Sequence, residues 1–144
     1  MRSLFLVAAF LCQLLFVPGC AKSSRKPVHH VRSQILLEGK PVPQAIVTFH
    51  PIDAEPGREP SPSAQTDAQG YFTLTSYASG DGAPEGEYAV TVTWFRSYAT
   101  SPSGDDSTTA NFLPSRYANP ATSPLKATIR AGDNELPPLH VLPR

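Results

Sequence analysis

The sequence predicts an all-β fold, a seven-stranded antiparallel sandwich of two sheets, after an N-terminal signal peptide. Three observations carry that prediction. Apolar and polar residues alternate at period two in one segment after another. Turn formers punctuate these segments, with 16 Pro and 9 Gly in 144 residues. Beyond the first twenty residues, no segment keeps apolar residues at helical spacing for ten positions. One-sided burial fits the modest aliphatic content, because half of each strand faces water and is free to be Thr, Gln or Lys.

The first twenty residues fix the expected address. Arg2 supplies a positive start, and Leu4 to Val17 is apolar except for Gln13. That run is short for a membrane span, which needs about 20 apolar residues. It ends in Val17-Pro18-Gly19-Cys20. These residues resemble the lipobox of bacterial lipoproteins, with Val17 and Pro18 at positions where Leu and Ala or Ser are commoner. The resemblance implies cleavage after Gly19 and lipidation of Cys20, whose thiolate takes the diacylglyceryl group. Two or more acyl chains hold a protein stably at a bilayer. An ordinary secretory signal and a membrane helix are the rival readings. The expected layout is a signal peptide at 1–19, a lipid anchor and basic tether at 20–30, and the sandwich at 31–144. The expected location is the bacterial cell envelope, periplasmic or on the outer face, with the membrane as a partner through acylated Cys20.

Cysteine usage follows from that layout. Cys12 leaves with the leader, so Cys20 stands alone in the mature chain. No intramolecular disulfide and no Cys-ligated zinc are expected. Lys+Arg and Asp+Glu are 12 each, for a formal net charge of zero. Nothing then draws the whole molecule to a polyanion, and nucleic acid is not an expected partner. The tether is locally basic, with Lys22, Arg25 and Lys26, and Arg32 just beyond. It reads as a solvated spacer or as an electrostatic clamp on anionic lipid.

The strands then follow in order. Val31, Ile35 and Leu37 share a face, and Glu38-Gly39-Lys40-Pro41 is a turn. Ala45, Val47 and Phe49 face inward, with Ile46, Thr48 and His50 outward. Pro51 to Pro62 is a polar loop. Asp67-Ala68-Gln69-Gly70 is a turn in which Asp caps and Gly takes positive φ. Phe72 and Leu74 point inward, with Tyr71, Thr73 and Thr75 outward. A loop at 76–86 leads to the clearest strand, where Tyr88, Val90, Val92 and Trp94 share one face and Ala89, Thr91, Thr93 and Phe95 the other. Arg96 to Ala110 reads as a long polar loop, of the kind that carries function or lacks order. Phe112, Leu113 and Tyr117 are expected to anchor the returning chain. Leu125, Ala127 and Ile129 face inward, and Ala131-Gly132-Asp133-Asn134 is a turn. Leu136 to Leu142 is the last strand. Its Pro137-Pro138 places it at an edge or delays its start until after Pro138.

Several of these pieces together resemble a known family. Leu37-Glu38-Gly39-Lys40-Pro41-Val42 with Ala45-Ile46-Val47-Thr48-Phe49 is similar to the opening hairpin of carboxypeptidase-regulatory-like domains. Thr66 to Leu74 resembles their central hairpin, and Gly86 to Val92 the strand that follows. Leu113-Pro114, Tyr117, Thr122-Ser123-Pro124-Leu125, Gly132 and Asn134 resemble small planctomycete lipoproteins that carry this domain. Ser33 and Pro43-Gln44 stand where glycines are usual. The resemblance implies a prealbumin-like (transthyretin-like) or immunoglobulin-like sandwich with an accessory, non-catalytic role and no cofactor.

Candidate chemistry is sparse. His29, His30, His50 and His140 lack metal-site spacing. Transthyretin-like hydrolases end in a Tyr-Arg-Gly-Ser run, and this chain ends Leu139-His140-Val141-Leu142-Pro143-Arg144. Asp67 with Gly70 offers one carboxylate where a calcium loop needs several. No catalytic residue and no metal ligand is expected. Tyr71, Phe95 and Tyr98 are the candidate ligand or partner surface, because outward aromatics stack on sugars and on proteins. The expected function is a lipid-anchored, non-enzymatic envelope module for protein interaction or envelope structure. The alternative is a glycan- or small-ligand-binding module using loops 76–86 and 96–110. An envelope protein or a polysaccharide is the expected partner.

Overall fold

The fold comes from a computed structural model, which describes residues 25–54, 59–100 and 107–143, without the side chains of Tyr98 and Ala99. Strand β1 (Val31–Leu37) is the spine of one sheet. On one edge it pairs with β2 (Lys40–Pro41) and β5 (Tyr71–Thr73), both antiparallel. On the other it pairs with β10 (Asn134–Glu135) and β11 (Leu139–Val141), both parallel. The second sheet has the order β4-β3-β6-β9 and is antiparallel throughout. Its members are β3 (Ile46–Pro51), β4 (Ser63–Gln65), β6 (Gly86–Thr93) and β9 (Lys126–Ile129). Strands β7 (Phe95–Ala99) and β8 (Ser107–Asn111) form a separate two-stranded hairpin. A 3-10 turn spans Ser115–Ala118.

The two sheets pack as an all-β sandwich whose core is the alternating set. Val31, Ile35, Ala45, Val47, Phe49, Leu74, Val90 and Val92 are fully buried. Phe49 is the aromatic centre, with ring centroids 6.2 Å from Phe72 and 5.8 Å from Tyr88. Such tilted pairs add about 0.5–1.5 kcal/mol beyond area burial. Leu113 and Tyr117 are buried in the same core and Leu142 N–H donates to the Tyr117 hydroxyl, which ties the 3-10 turn to the last strand. Phe112, expected beside them, is instead exposed.

The strand count and direction differ from the expected seven antiparallel strands. The described residues form eleven short strands, and β1 takes both parallel neighbours. Pro137-Pro138 lacks amide donors, and the last strand, β11, starts after Pro138. Strand β10 precedes the expected run and begins at Asn134, the last residue of the expected turn. Alternation sets which face is buried but says nothing about the direction of the partner. Pairing also starts before residue 31, because His29 and Ala83 exchange both backbone hydrogen bonds at 2.8 and 2.9 Å.

Ser33 and Gln44, where the sequence has no glycine, take defined places in the fold. Ser33 is buried and its hydroxyl donates to the Pro137 carbonyl at 2.9 Å. Gln44 sits at φ 57°, the left-handed region that favours glycine. Thr66 steadies that corner. Its hydroxyl accepts from Ala45 N–H and donates to the Val42 carbonyl, at 2.8 and 2.6 Å.

Candidate functional site

The β4–β5 hairpin is where the two sheets separate. Its turn forms as the sequence expects. Asp67 Oδ1 accepts the amides of Gln69 and Tyr71, both at 2.9 Å, and Gly70 takes φ 78°. Beyond the turn the strands part, because β4 pairs with β3 and β5 pairs with β1. They meet again at Ser63 and Thr75, which exchange two backbone bonds of 3.0 Å. Between the turn and that bridge, Gln65 and Thr73 face each other without a ladder pairing. The opening is a groove of about 450 Å³ lined by His30, Arg32, Gln65, Asp67, Tyr71 and Thr73, with Phe72 beneath.

Register puts the side chains there. Arg32 lies opposite Thr73 and Gln34 opposite Tyr71, so Arg32 and Tyr71 are diagonal neighbours on one face of the sheet. The Arg32 guanidinium sits 4.8 Å from the centroid of the Tyr71 ring. At that distance a guanidinium is held by the ring's negative face. Of the three surface aromatics the sequence singles out, Tyr71 is in the groove. Phe95 is exposed on the separate hairpin, away from Tyr71's sheet. Tyr98 pairs with Thr108 on that same hairpin, and its side chain lies outside the described residues. Gly19 and Cys20 lie outside them as well.

The expected loop at 96–110 is largely this hairpin, with residues 101–106 outside the described set. Ser97 and Thr109 hydroxyls bond across it at 2.9 Å. Ser97, Ser107, Thr108 and Thr109 give it no apolar phase of the kind that reveals the other strands. At its base Arg96 lies 5.1 Å from the Trp94 ring centroid and 5.4 Å from that of Phe112.

Loop 76–86 is committed to its own structure. Asp81 Oδ1 accepts Ser76 N–H at 2.7 Å, and Oδ2 accepts Tyr77 and Ala78 N–H at 3.0 and 2.8 Å. Partial desolvation opposes the charge, but these amides outweigh it and hold the Asp81 carboxyl below its ordinary range. Gly82 and Ala83 are buried against His29.

A smaller cleft of about 170 Å³ is acidic, lined by Asp53, Glu59, Glu85 and Glu87 around Lys26, which pairs with Glu59. Tyr88 closes its floor and donates to the Pro84 carbonyl at 2.8 Å. Burial first, then the Glu59 charge, push the Tyr88 hydroxyl up to about 12. Among the described residues, no group of three or more His, Cys, Asp or Glu is arranged to hold a metal. His50 Nε2 is 2.9 Å from the Thr91 hydroxyl, and partial burial lowers its pKa. His29 Nδ1 accepts Gly132 N–H at 3.1 Å, which places the ring proton of the neutral form on Nε2.

Sequence reasoning missed Arg32, His30, Gln65 and Thr73 as groove residues. The signal for Arg32 was its position two residues into a strand, one step out of phase with Val31.

No family model matches the chain, and no curated protein matches it. Among solved structures the chain is similar to a 9R-lipoxygenase from Cyanothece PCC8801, at 16% identity and a TM-score of 0.41, over 80% of this chain. The chain spans 16% of that structure's length, and a likeness this slight carries no argument about either protein.

Proposed function

We propose that the chain is a lipid-anchored, non-enzymatic β-sandwich of a bacterial cell envelope, acting as a protein-interaction or envelope-structural module. The observation that carries this reading is the apolar run Leu4 to Val17 ending in Val17-Pro18-Gly19-Cys20. A basic spacer and one β-sandwich follow that run, and the order suits a module displayed from a membrane. The resemblance to carboxypeptidase-regulatory-like domains of planctomycete lipoproteins supports the accessory role. Further support comes from the described interior. Of its four buried polar side chains, Ser33, Thr66 and Ser123 are bonded to backbone carbonyls as structural brackets, and the fourth, Thr91, meets the His50 ring.

Mass spectrometry of the mature protein tests the anchor. The expected product begins at Cys20 and carries acyl chains, whereas an unmodified Cys20 ends the proposal. Cross-linking on intact cells tests the interaction role, and reproducible capture of one envelope protein is the expected result. A ligand-binding role is the second reading. It is favoured by the groove at Arg32 and Tyr71 rather than by loop 76–86, whose polar groups already bond to one another.

A further inference from the structure

We infer that the groove between β4 and β5 is a binding site for a carboxylate-bearing sugar, a uronic-acid unit of an acidic polysaccharide. The inference deepens the ligand-binding reading and is independent of the lipid anchor.

The first argument is an uncommitted guanidinium. Among the described residues no carboxylate pairs with Arg32, and none of its side-chain donors has a hydrogen-bond partner. Glu135 is its register neighbour and Asp67 lines the same groove, yet neither forms an ion pair with it. Arg32 is nevertheless held in place over the Tyr71 ring. A planar fork of donors fixed beside a cavity matches a carboxylate in bidentate geometry.

The second argument is shape. Residues 70, 72 and 74 of the β5 segment bond toward β1, as Ile35 N–H to Gly70 O and Leu74 N–H to Val31 O show. Strand alternation therefore turns the backbone N–H and C=O of Thr73 away from β1 and into the gap. The opening is one residue pair long and is closed at both ends, by Ser63 with Thr75 and by Asp67 with Tyr71. An extended peptide cannot run through so short a slot. A compact ring carrying hydroxyls suits it, because the polar residues Gln65, Thr73 and Asp67 line the groove beside Arg32, and Asp67 uses only Oδ1 in its turn. The groove, about 450 Å³ and open to solvent, is within the volume range of small-ligand sites. Asp67 beside Arg32 disfavours a densely charged anion such as a polyphosphate and favours one carboxylate among hydroxyls.

The test uses the full-length protein, followed by NMR while digalacturonate is added. Saturable shifts of the Arg32 side chain and of the Gln65 and Thr73 amides are expected. Neutral digalactose is expected to bind at least about tenfold more weakly, and Arg32→Gln to weaken digalacturonate binding by about tenfold at unchanged melting temperature. Arg32 is exposed, so that variant keeps its core. Tyr71→Leu, which removes the ring that holds the guanidinium, is expected to weaken binding as well. Equal binding of the two sugars overturns the carboxylate proposal while leaving a ligand-binding role standing. Absence of shifts with either sugar, full affinity in Arg32→Gln, or a preference for acetyl-dialanine with its free carboxylate over digalacturonate also overturns it. None of these results bears on acylation of Cys20, which is read separately by mass.

Discussion

Two loops of this chain are each organised by one aspartate, and they end in opposite states. Asp81 commits both carboxylate oxygens to the amides of Ser76, Tyr77 and Ala78. Asp67 commits Oδ1 alone, to Gln69 and Tyr71, and faces the groove. The first loop is also locked from outside, by the His29–Ala83 backbone pair. The second opens onto a gap between sheets. The same residue type therefore builds a closed structural knot in one place and the rim of a cavity in the other. What decides the outcome is where the flanking strands go: β4 and β5, on either side of Asp67, part to different sheets, whereas the loop of Asp81 folds back on its own amides.

The sharpest way to test this contrast is at the glycines. Gly82 has φ 98°, and a methyl there would stand 1.8 Å from the His29 carbonyl oxygen. Gly82→Ala is expected to cost more than about 4 kcal/mol or to prevent folding. Gly70 has φ 78°, and a methyl would stand 2.7 Å from the Ile35 oxygen. Gly70→Ala is expected to cost about 2–3 kcal/mol. Urea midpoints of the two variants decide the order, and equal losses would break the distinction between a locked and an open loop.

Removing the carboxylates comes next. Asp81→Ala leaves three amides without their acceptor and is expected to cost about 2–3 kcal/mol. Asp67→Ala is expected to cost about 1 kcal/mol, since its turn is exposed and water replaces the bonds. Thermal melts at neutral pH read both.

The third effect is acid sensitivity. The folded Asp81 carboxyl titrates below its ordinary value of 3.8. Its contribution is therefore present above that ordinary value and is lost as pH falls through the folded one. The stability gap between wild type and Asp81→Asn should be widest near neutrality and should close as pH falls below about 4. Denaturant midpoints across that range check it, and a gap that widens in acid would contradict the assigned sign. The smallest effect belongs to Asp67→Asn. Asn supports the same side-chain-to-backbone turn, so stability should stay within about 0.5 kcal/mol.

The sandwich was legible in the sequence from the inward apolar phase of its strands, although β6 is buried on both faces, with Ala89 and Thr91 buried as well. Ala45, Val47 and Phe49, and Tyr88, Val90 and Val92, are buried as their alternation requires. The Asp67–Gly70 and Gly132–Asn134 turns were equally plain, because their residues carry the turn geometry themselves. The β7–β8 hairpin was not legible, since Ser97, Ser107, Thr108 and Thr109 give no apolar phase. The parallel edge of β1 was hidden for another reason, as the choice of neighbour depends on residues a hundred positions away. Tyr71 was found as an outward aromatic, whereas Arg32 was read with the basic run before it. Only the register of β1 against β5 places that arginine on the tyrosine.

The parallel edge has a mechanical consequence. Val31 lies opposite Asn134 and Leu37 opposite Val141, so the two ends of the domain leave from opposite ends of neighbouring strands. A pull between those ends acts along the strands and loads the whole row of bonds at once, in shear. A pull between Val31 and Leu74, across an antiparallel pair, would instead open bonds one after another like a zip. A domain hung from its first strand and tugged by its last would thus meet traction along its most resistant direction.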